Sequence, residues 1–404
     1  KTDKFNSKII SQIKQIEPNI EVKLNDVSAI LDPFNFGIKT KTNGTDLIYK
    51  NKIIGIETIK SNISVKSLLN DKFALTDISM STKSLAIKDL ITFFRLLNND
   101  PKLFIAKQFI KNGFLIADLK LEFDELGKIK NNYKFNGFVK DGKINLFKRY
   151  DLNKIDFIFE IEEKNLKFND VRLLFNNKNI LMPELTVLKK NNEYFISGTL
   201  NNQNIKLNKN EIRNLLKKKL LGLDIQAITF NSQNNFNFKV NKDFKFKNFN
   251  TISEIELKNL RSKNSLNLKN IFPKIKKEIS FNNHKIKIKY EKNILSITGE
   301  GEIFLQNEVD KIKYKISKKK NEFMLNTTLN ITKNPFELNL LNYKKNKKTA
   351  LELNLKVKQL IKNQLIFNEI SLKEKNNIIS IKDLILSNNY KIDSINNFHP
   401  DYLD

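Results

Sequence analysis

The 404-residue chain carries 72 Lys+Arg against 44 Asp+Glu, a formal charge of +28, with 40% hydrophobic residues, 11 Gly, 7 Pro and no cysteine. That length exceeds one compact core and predicts two domains or an elongated repetitive body, while the hydrophobic content excludes a disordered chain. The missing cysteine excludes disulfides, thiol nucleophiles and thiolate metal sites together.

The basic balance would ordinarily suggest nucleic acid or an anionic membrane surface. Arginine, however, occurs only at Arg95, Arg149, Arg172, Arg213 and Arg261, and tryptophan is absent. Lys, Asn, Ile and Phe dominate, a bias expected of A+T-rich coding. A nucleic-acid binder draws on arginine for bidentate phosphate and base contacts, so no nucleic-acid partner is expected. No run of 18 apolar residues exists, so no transmembrane helix is expected within the chain. It begins at Lys1 and ends His399-Pro-Asp-Tyr-Leu-Asp404, and is read as a piece of something longer, truncated at both ends.

In chain order, Phe5, Ile9, Ile10, Ile13 and Ile16 have helical spacing, stopped by Pro18. Ile20-Glu-Val-Lys-Leu24 begins an alternation, Asp32-Pro33 reads as a turn, and Phe34–Ile38 as the next strand. Asn43-Gly44 reads as a hairpin turn. Strands continue through Ile53–Ser64 and, after a break at Ser67-Leu-Leu69, through Phe73–Ile87. Lys88–Leu97 has the spacing of a helix. From Phe109 onward the chain is nearly all strand: Phe114–Phe123, then Tyr133–Val139 joined to Ile144–Phe147 by a turn at Asp141-Gly142, then Ile155–Ile161 and Tyr194–Leu200. A helical insertion is expected near 209–221, with Ile212, Leu215, Leu216 and Leu220 as its apolar face and Gly222 past its end. The division predicted is an N-terminal region over 1–108 and a repetitive β body over 109–404.

Enzymatic chemistry is missing. His284 and His399 stand far apart without a carboxylate set at ligand spacing, and His284 reads as an outward-facing strand residue. Gly299-Glu-Gly-Glu302 precedes an extended run and reads as a hairpin turn, not a phosphate-binding loop. The pairs Glu162-Glu163 and Asp124-Glu125 point to opposite faces of a strand and cannot work as acid and base. No nucleophile motif, phosphate loop or dinucleotide fingerprint appears. A non-enzymatic protein without metal or cofactor is expected.

What remains is one-sided alternation. Lys285–Tyr290, Lys311–Ile316, Phe323–Ile331 and Leu351–Val357 alternate apolar with Lys, Asn, Glu or Thr, which places every apolar side chain on one face. Sandwich packing would cover that face for any single pair of strands. Over the whole chain, an elongated curved antiparallel sheet leaving a continuous apolar groove fits better. Its candidate lining is Ile155, Phe157, Phe159, Ile161, Phe236, Phe238, Ile286, Ile288, Tyr290, Ile312, Tyr314, Ile316, Phe323, Leu325, Leu351, Leu353 and Leu355. Such a surface suits acyl chains, which gain about 0.8 kcal/mol per buried methylene.

The order of an amphipathic helix (Phe5–Ile16), Ile20–Val27, Leu31-Asp-Pro-Phe34, Ile63-Ser-Val-Lys-Ser-Leu-Leu69 and Ile78–Leu85 resembles the N-terminal region of the AsmA-like proteins, the group that includes AsmA, TamB and YhdP. The Val-Lys-Ser-Leu-Leu element followed by Leu75–Met80 carries most of the likeness. Asp141–Leu146 and Tyr194–Leu200 are similar to the repetitive β body of the same group. The resemblance implies a mainly β, β-taco-like fold with a few short amphipathic helices, in a periplasmic protein anchored in the inner membrane of a diderm bacterium. It implies phospholipid acyl chains as ligand and transport between inner and outer membranes, in support of outer-membrane assembly. An anchor helix is then expected upstream of Lys1, and partner proteins at the outer membrane or in the periplasm. The alternative carried beside it is a structural or adhesive all-β scaffold of the cell envelope.

Overall fold

The computed structural model describes residues 10, 21–49, 52–70, 74–97, 101–146, 150–191, 193–215, 224–243, 245–264, 268–320, 322–339, 342–360, 365–386 and 392–401. The predicted helix Phe5–Ile16 lies outside them but for Ile10, as do Leu216, Leu220 and Gly222 of the helix predicted near 209–221. The protein is mainly β, 73% strand and 8% helix, and the pairings are antiparallel. It divides into two compact units, Lys1–Gly198 with Val240–Lys245, and Thr199–Lys239 with Phe246–Asp404. The expected division at residue 108 falls inside the first of them.

Unit 1 contains β1 (Glu21–Lys23), β2 (Asp26–Asp32), β3 (Gly37–Tyr49), β4 (Lys52–Ser64), α1 (Val65–Leu69), β5 (Leu75–Thr82), β6 (Leu85–Ala86), α2 (Ile87–Leu97), α3 (Pro101–Phe109), β7 (Ile110–Glu122), β8 (Lys134–Leu146), β9 (Tyr150–Ile161), β10 (Asn165–Phe175) and β11 (Lys178–Lys190). Pairing follows the chain, with β1 and β2 both on β3, then β3–β4–β5–β7–β8–β9–β10–β11. The helix α2 presents Leu90 and Phe93 to Tyr49, Ile54, Ile56 and Leu85, so it covers the apolar face of β3 and β4. A second cluster joins Leu115, Ala117, Val139 and Phe159, with Phe135, Phe157 and Phe168 packed against it.

The boundary between the units falls within β12 (Glu193–Asn208) and β13 (Asp224–Asn241), which are separated by α4 (Lys209–Leu215). Asn208 caps α4, its side chain accepting the N–H groups of Asn210 and Glu211 at 3.0 Å. Unit 2 continues with β14 (Phe246–Lys263), β15 (Glu278–Glu291), β16 (Ile294–Phe304), β17 (Asp310–Lys319), β18 (Glu322–Ile331), β19 (Glu337–Leu338), β20 (Tyr343–Lys344), β21 (Leu351–Leu360), β22 (Leu365–Glu374), β23 (Asn377–Leu386), β24 (Ile392–Ser394) and β25 (Asn397–Asp401). Here β14 through β18 pair in order, β21 follows β18, and β22, β23 and β25 complete the ladder. The short hairpin of β19 and β20 stands apart as its own sheet.

Several expected turns instead lie inside long strands. Asp141, at φ 53, lies in the middle of β8 at a break in register, whereas Gly44, at φ 64, lies in the middle of β3 with its register to β4 unbroken. At such a break a residue in the left-handed region inserts an unpaired position and bends the strand without reversing it. Asn and Asp tolerate that region better than other side chains, and Asp170, Asn204, Asn248, Asn283 and Asp383 adopt it as well. The neighbouring strand captures two of the bulge N–H groups. Asp141 donates to Asp156 Oδ1 and Asn204 to Asn231 Oδ1, both at 2.8 Å. Such bulges raise the local twist of each sheet. At the other end of β3, residues 33–36 form the turn, so the strand predicted to begin at Phe34 begins at Gly37.

Candidate functional site: the apolar face of unit 2

The strand registers of unit 2 assemble the predicted lining into rows. One row runs Ile288–Ile297–Ile316–Leu325–Val357–Phe367, and the next Ile286–Gly299–Tyr314–Thr327–Leu355–Ile370. A third runs Ile312–Leu329–Leu353–Leu372–Ile379. All three lie on the face opposite Lys285, Lys287, Lys313 and Lys315, which are exposed. Period-two alternation is sufficient to produce this sorting.

The chain itself covers one end of this face. The connection from β14 to β15 brings Leu268, Ile271, Phe272 and Ile275 onto the sheet, and that from β18 to β21 brings Phe336, Leu338 and Tyr343. Phe272 and Phe336 meet edge to face at 5.5 Å between centroids. Beneath them Ile331 and Leu351 are 0% and 1% exposed. Leu351 and Leu353, placed in the groove lining by the sequence, therefore belong to a packed core here, with Ile312 and Leu355 against its margin.

A buried polar network fastens the cover. Gln306 accepts the Lys274 N–H at 3.0 Å and donates to the Pro335 carbonyl at 2.8 Å. Asn334 donates to the Glu308 carbonyl and to Asp310 Oδ2, both at 2.7 Å. Lys345 Nζ donates to the Thr332 carbonyl at 2.7 Å. Burial pushes the Asp310 carboxyl above the ordinary aspartate value despite its hydrogen bonds, and burial likewise lowers the Lys345 ammonium. Both groups act as fasteners; such interior polar contacts cost more to break than they add.

Away from the cover, Ile286, Ile288, Ile316, Phe323 and Leu325 are half-buried. This band runs toward an aromatic cluster in which Phe238 lies 5.3 Å from Phe246 and 6.1 Å from Phe236, and Phe249 lies 6.0 Å from Tyr290. Phe246 is 75% exposed. The predicted lining residues Phe236, Phe238 and Tyr290 thus belong to one aromatic end of the band. In unit 1, Ile155 and Phe159 are buried, while Phe157 and Ile161 are half-buried among Phe135 and Phe168.

His284 corrects the sequence reading. It is 1% exposed and shares the face of Ile286, as its even spacing from that residue requires. Its Nε2 lies 2.9 Å from the Glu302 carbonyl and its Nδ1 3.4 Å from the Tyr314 hydroxyl. A neutral imidazole that donates through Nε2 and accepts at Nδ1 satisfies both contacts. Burial holds the imidazole below its ordinary value and pushes the Tyr314 phenol up to about 12. Gly299 and Gly301 form no turn; they lie within β16 beneath these rings. A Cβ on Gly301 would sit 2.3 Å from His284 Cδ2, and one on Gly299 2.5 Å from Tyr314 Cζ. The glycines make room for a polar pair set between apolar rows.

The opposite face carries rows of charge. Lys287 and Glu254 pair at 3.2 Å, Lys313 and Glu300 at 3.4 Å, and Lys356 and Glu369 at 2.5 Å. Exposed pairs of this kind contribute about 0–1 kcal/mol each. A concavity of 1410 Å³ lies along these rows, bordered by Glu254, Lys287, Glu300, Lys313, Lys356 and Glu369. Regular alternation does not announce such a hollow, because curvature, not composition, creates it.

Among the described residues no group of His, Cys, Asp or Glu is placed to hold a metal ion, and no helix is long and apolar enough to cross a membrane. Comparison with protein-family models, with curated proteins and with solved structures finds no match to this chain.

Proposed function

We propose that the chain is a non-enzymatic lipid-binding protein of the bacterial envelope, and that the half-buried apolar band of unit 2 receives phospholipid acyl chains. The observation that carries this reading is the half-buried stretch Ile288–Ile297–Ile316–Leu325, which lies beyond the chain's own cover and runs to the buried Val357. Burial of about ten methylenes against it would gain roughly 8 kcal/mol. The resemblance to AsmA-like proteins, carried by Ile63–Leu69 and Leu75–Met80, supports transport between inner and outer membranes in the periplasm and an anchor upstream of Lys1. In this account unit 1's aromatic cluster around Phe157 and Phe168 serves the same purpose as the band of unit 2.

The covered end supports a second reading, a structural envelope scaffold whose apolar faces are closed by their own loops. Mass spectrometry of organic extracts from the purified chain separates the two. The lipid reading expects phospholipid to accompany the protein in a fixed ratio through size exclusion. Lipid-free, fully folded protein that takes up none from vesicles would support the scaffold.

A further inference from the structure

The turn at residues 33–36, the helix α1 (Val65–Leu69) and the connection 123–133 lie side by side at one end of the unit 1 sheet. Backbone hydrogen bonds align them: Val65 N–H to the Phe36 carbonyl at 2.9 Å, Ser64 N–H to the Ala74 carbonyl at 2.7 Å, and Phe123 N–H to the Thr76 carbonyl at 2.9 Å. At their tips Phe34 is 94% exposed, Phe36 73%, Leu69 78% and Leu126 79%. Isolated exposed apolar residues are ordinary, but a group of large ones on adjoining loops marks an interaction surface. Phe36 also holds φ at 46, a left-handed conformation costly for a bulky aromatic. Its exposed ring finds little packing within the chain to repay that cost.

The carboxylates at this end, Asp77 and Glu125 among them, are engaged within the chain. Asp32 is engaged by Lys39 at 2.7 Å and by Asn35, which bring its carboxyl down to about 2. Asp124 accepts the N–H groups of Lys128 and Leu126 at 2.9 Å. Glu122 is taken up by Asn132 and Lys120. Lys66, Lys128 and Lys130 are exposed, and Lys128 and Lys130 lie near enough to Asp124 to help hold its carboxyl below the ordinary aspartate value. A protein partner is a poor fit, since interface cores are depleted in lysine. Apolar side chains at loop tips with lysines between them match the boundary between acyl chains and anionic headgroups.

We infer that this end of unit 1 docks on an anionic bilayer surface, with Phe34, Phe36, Leu69 and Leu126 entering the headgroup–acyl boundary and Lys66, Lys128 and Lys130 meeting lipid phosphates. The surface is separate from the apolar band of unit 2. Co-sedimentation of the whole chain with phosphatidylglycerol-rich vesicles and with phosphatidylcholine vesicles tests it. Wild type should bind the anionic vesicles at least about tenfold more tightly. The double variant Phe34→Ser/Leu126→Ser should lose about tenfold or more of that binding with an unchanged unfolding midpoint, because both side chains are exposed. Lys66→Gln/Lys128→Gln should weaken the preference for anionic lipid. Lys206→Gln, an exposed lysine of unit 2 outside both surfaces, should bind vesicles as wild type does. The inference is overturned if wild type ignores both vesicles or if the Phe34/Leu126 variant binds undiminished. It is also overturned if Lys206→Gln weakens binding as much as the loop changes do, or if the loop changes alter only self-association of the protein.

Discussion

Leu353→Asp is expected to unfold the covered end of unit 2, whereas Ile288→Asp leaves it folded and empties it of lipid. The two residues were equivalent in the sequence, both apolar positions of alternating strands, yet their surroundings differ. Leu353 is 9% exposed and packs with Leu329, Leu372 and Ile379 under Phe272 and Phe336. Truncating such a residue costs about 2–5 kcal/mol, and placing a carboxylate there adds the penalty of an unpaired buried charge. Ile288 is half-buried beyond the cover, so its carboxylate replacement reaches water and costs roughly 1–2 kcal/mol. Urea unfolding gives the stabilities, and extraction of bound lipid gives the occupancy. The expected result is a collapse of stability in Leu353→Asp. For Ile288→Asp, bound lipid should fall about tenfold or more, since a charge in the band cancels the gain of several methylenes. Equal destabilisation by both, or undiminished lipid in folded Ile288→Asp, would contradict this division of the face.

Gly301→Ala should destabilise unit 2 by about 2–4 kcal/mol despite adding only a methyl group. The new Cβ would stand 2.3 Å from His284 Cδ2 and 2.5 Å from its Cγ. The imidazole has nowhere to retreat, being 1% exposed, held at 2.9 Å by the Glu302 carbonyl and flanked by Phe281 and Tyr314. Moving it breaks a buried hydrogen bond as well as the packing. Gly55→Ala is the control. Its Cβ would meet the flexible Lys83 side chain first, at 3.2 Å, and the change should stay within about 0.5 kcal/mol. Thermal or urea unfolding of both variants decides the matter; equal losses would mean that His284 is not wedged against β16.

The faces of the strands were legible because alternation needs no tertiary knowledge. Ile286 and Ile288 lie on one side and Lys285 and Lys287 on the other, as their spacing requires. The helix at Ile87–Leu97 was equally plain from its apolar spacing. The continuation of β8 and β3 past Asp141-Gly142 and Asn43-Gly44 was not legible, because both pairs have the chemistry of hairpin turns; only partner strands long enough to pass them decide otherwise. Gly299 and Gly301 misled in the same way, their role being set by rings on neighbouring strands. The cover over Ile331 and Leu351 had no periodic signal. Its apolar residues, Leu268, Ile271, Phe272 and Phe336, stand in irregular segments broken by Pro273 and Pro335. Their pairing depends on interior polar contacts that Gln306 and Asp310, distant in sequence, make with the two segments. The exposed apolar side chains at one end of unit 1 likewise emerge only when strand register brings Phe34, Leu69 and Leu126 together there.

The central claim is that lipid lies on one face of the unit 2 sheet. Lys287 and Ile288 are neighbours in β15 that point to opposite faces, so a photoreactive side chain placed at each in turn reads the two surfaces separately. After irradiation of protein carrying its lipid, a phospholipid adduct is expected from position 288 and none from position 287. Adducts from both positions alike, or from 287 alone, would contradict it.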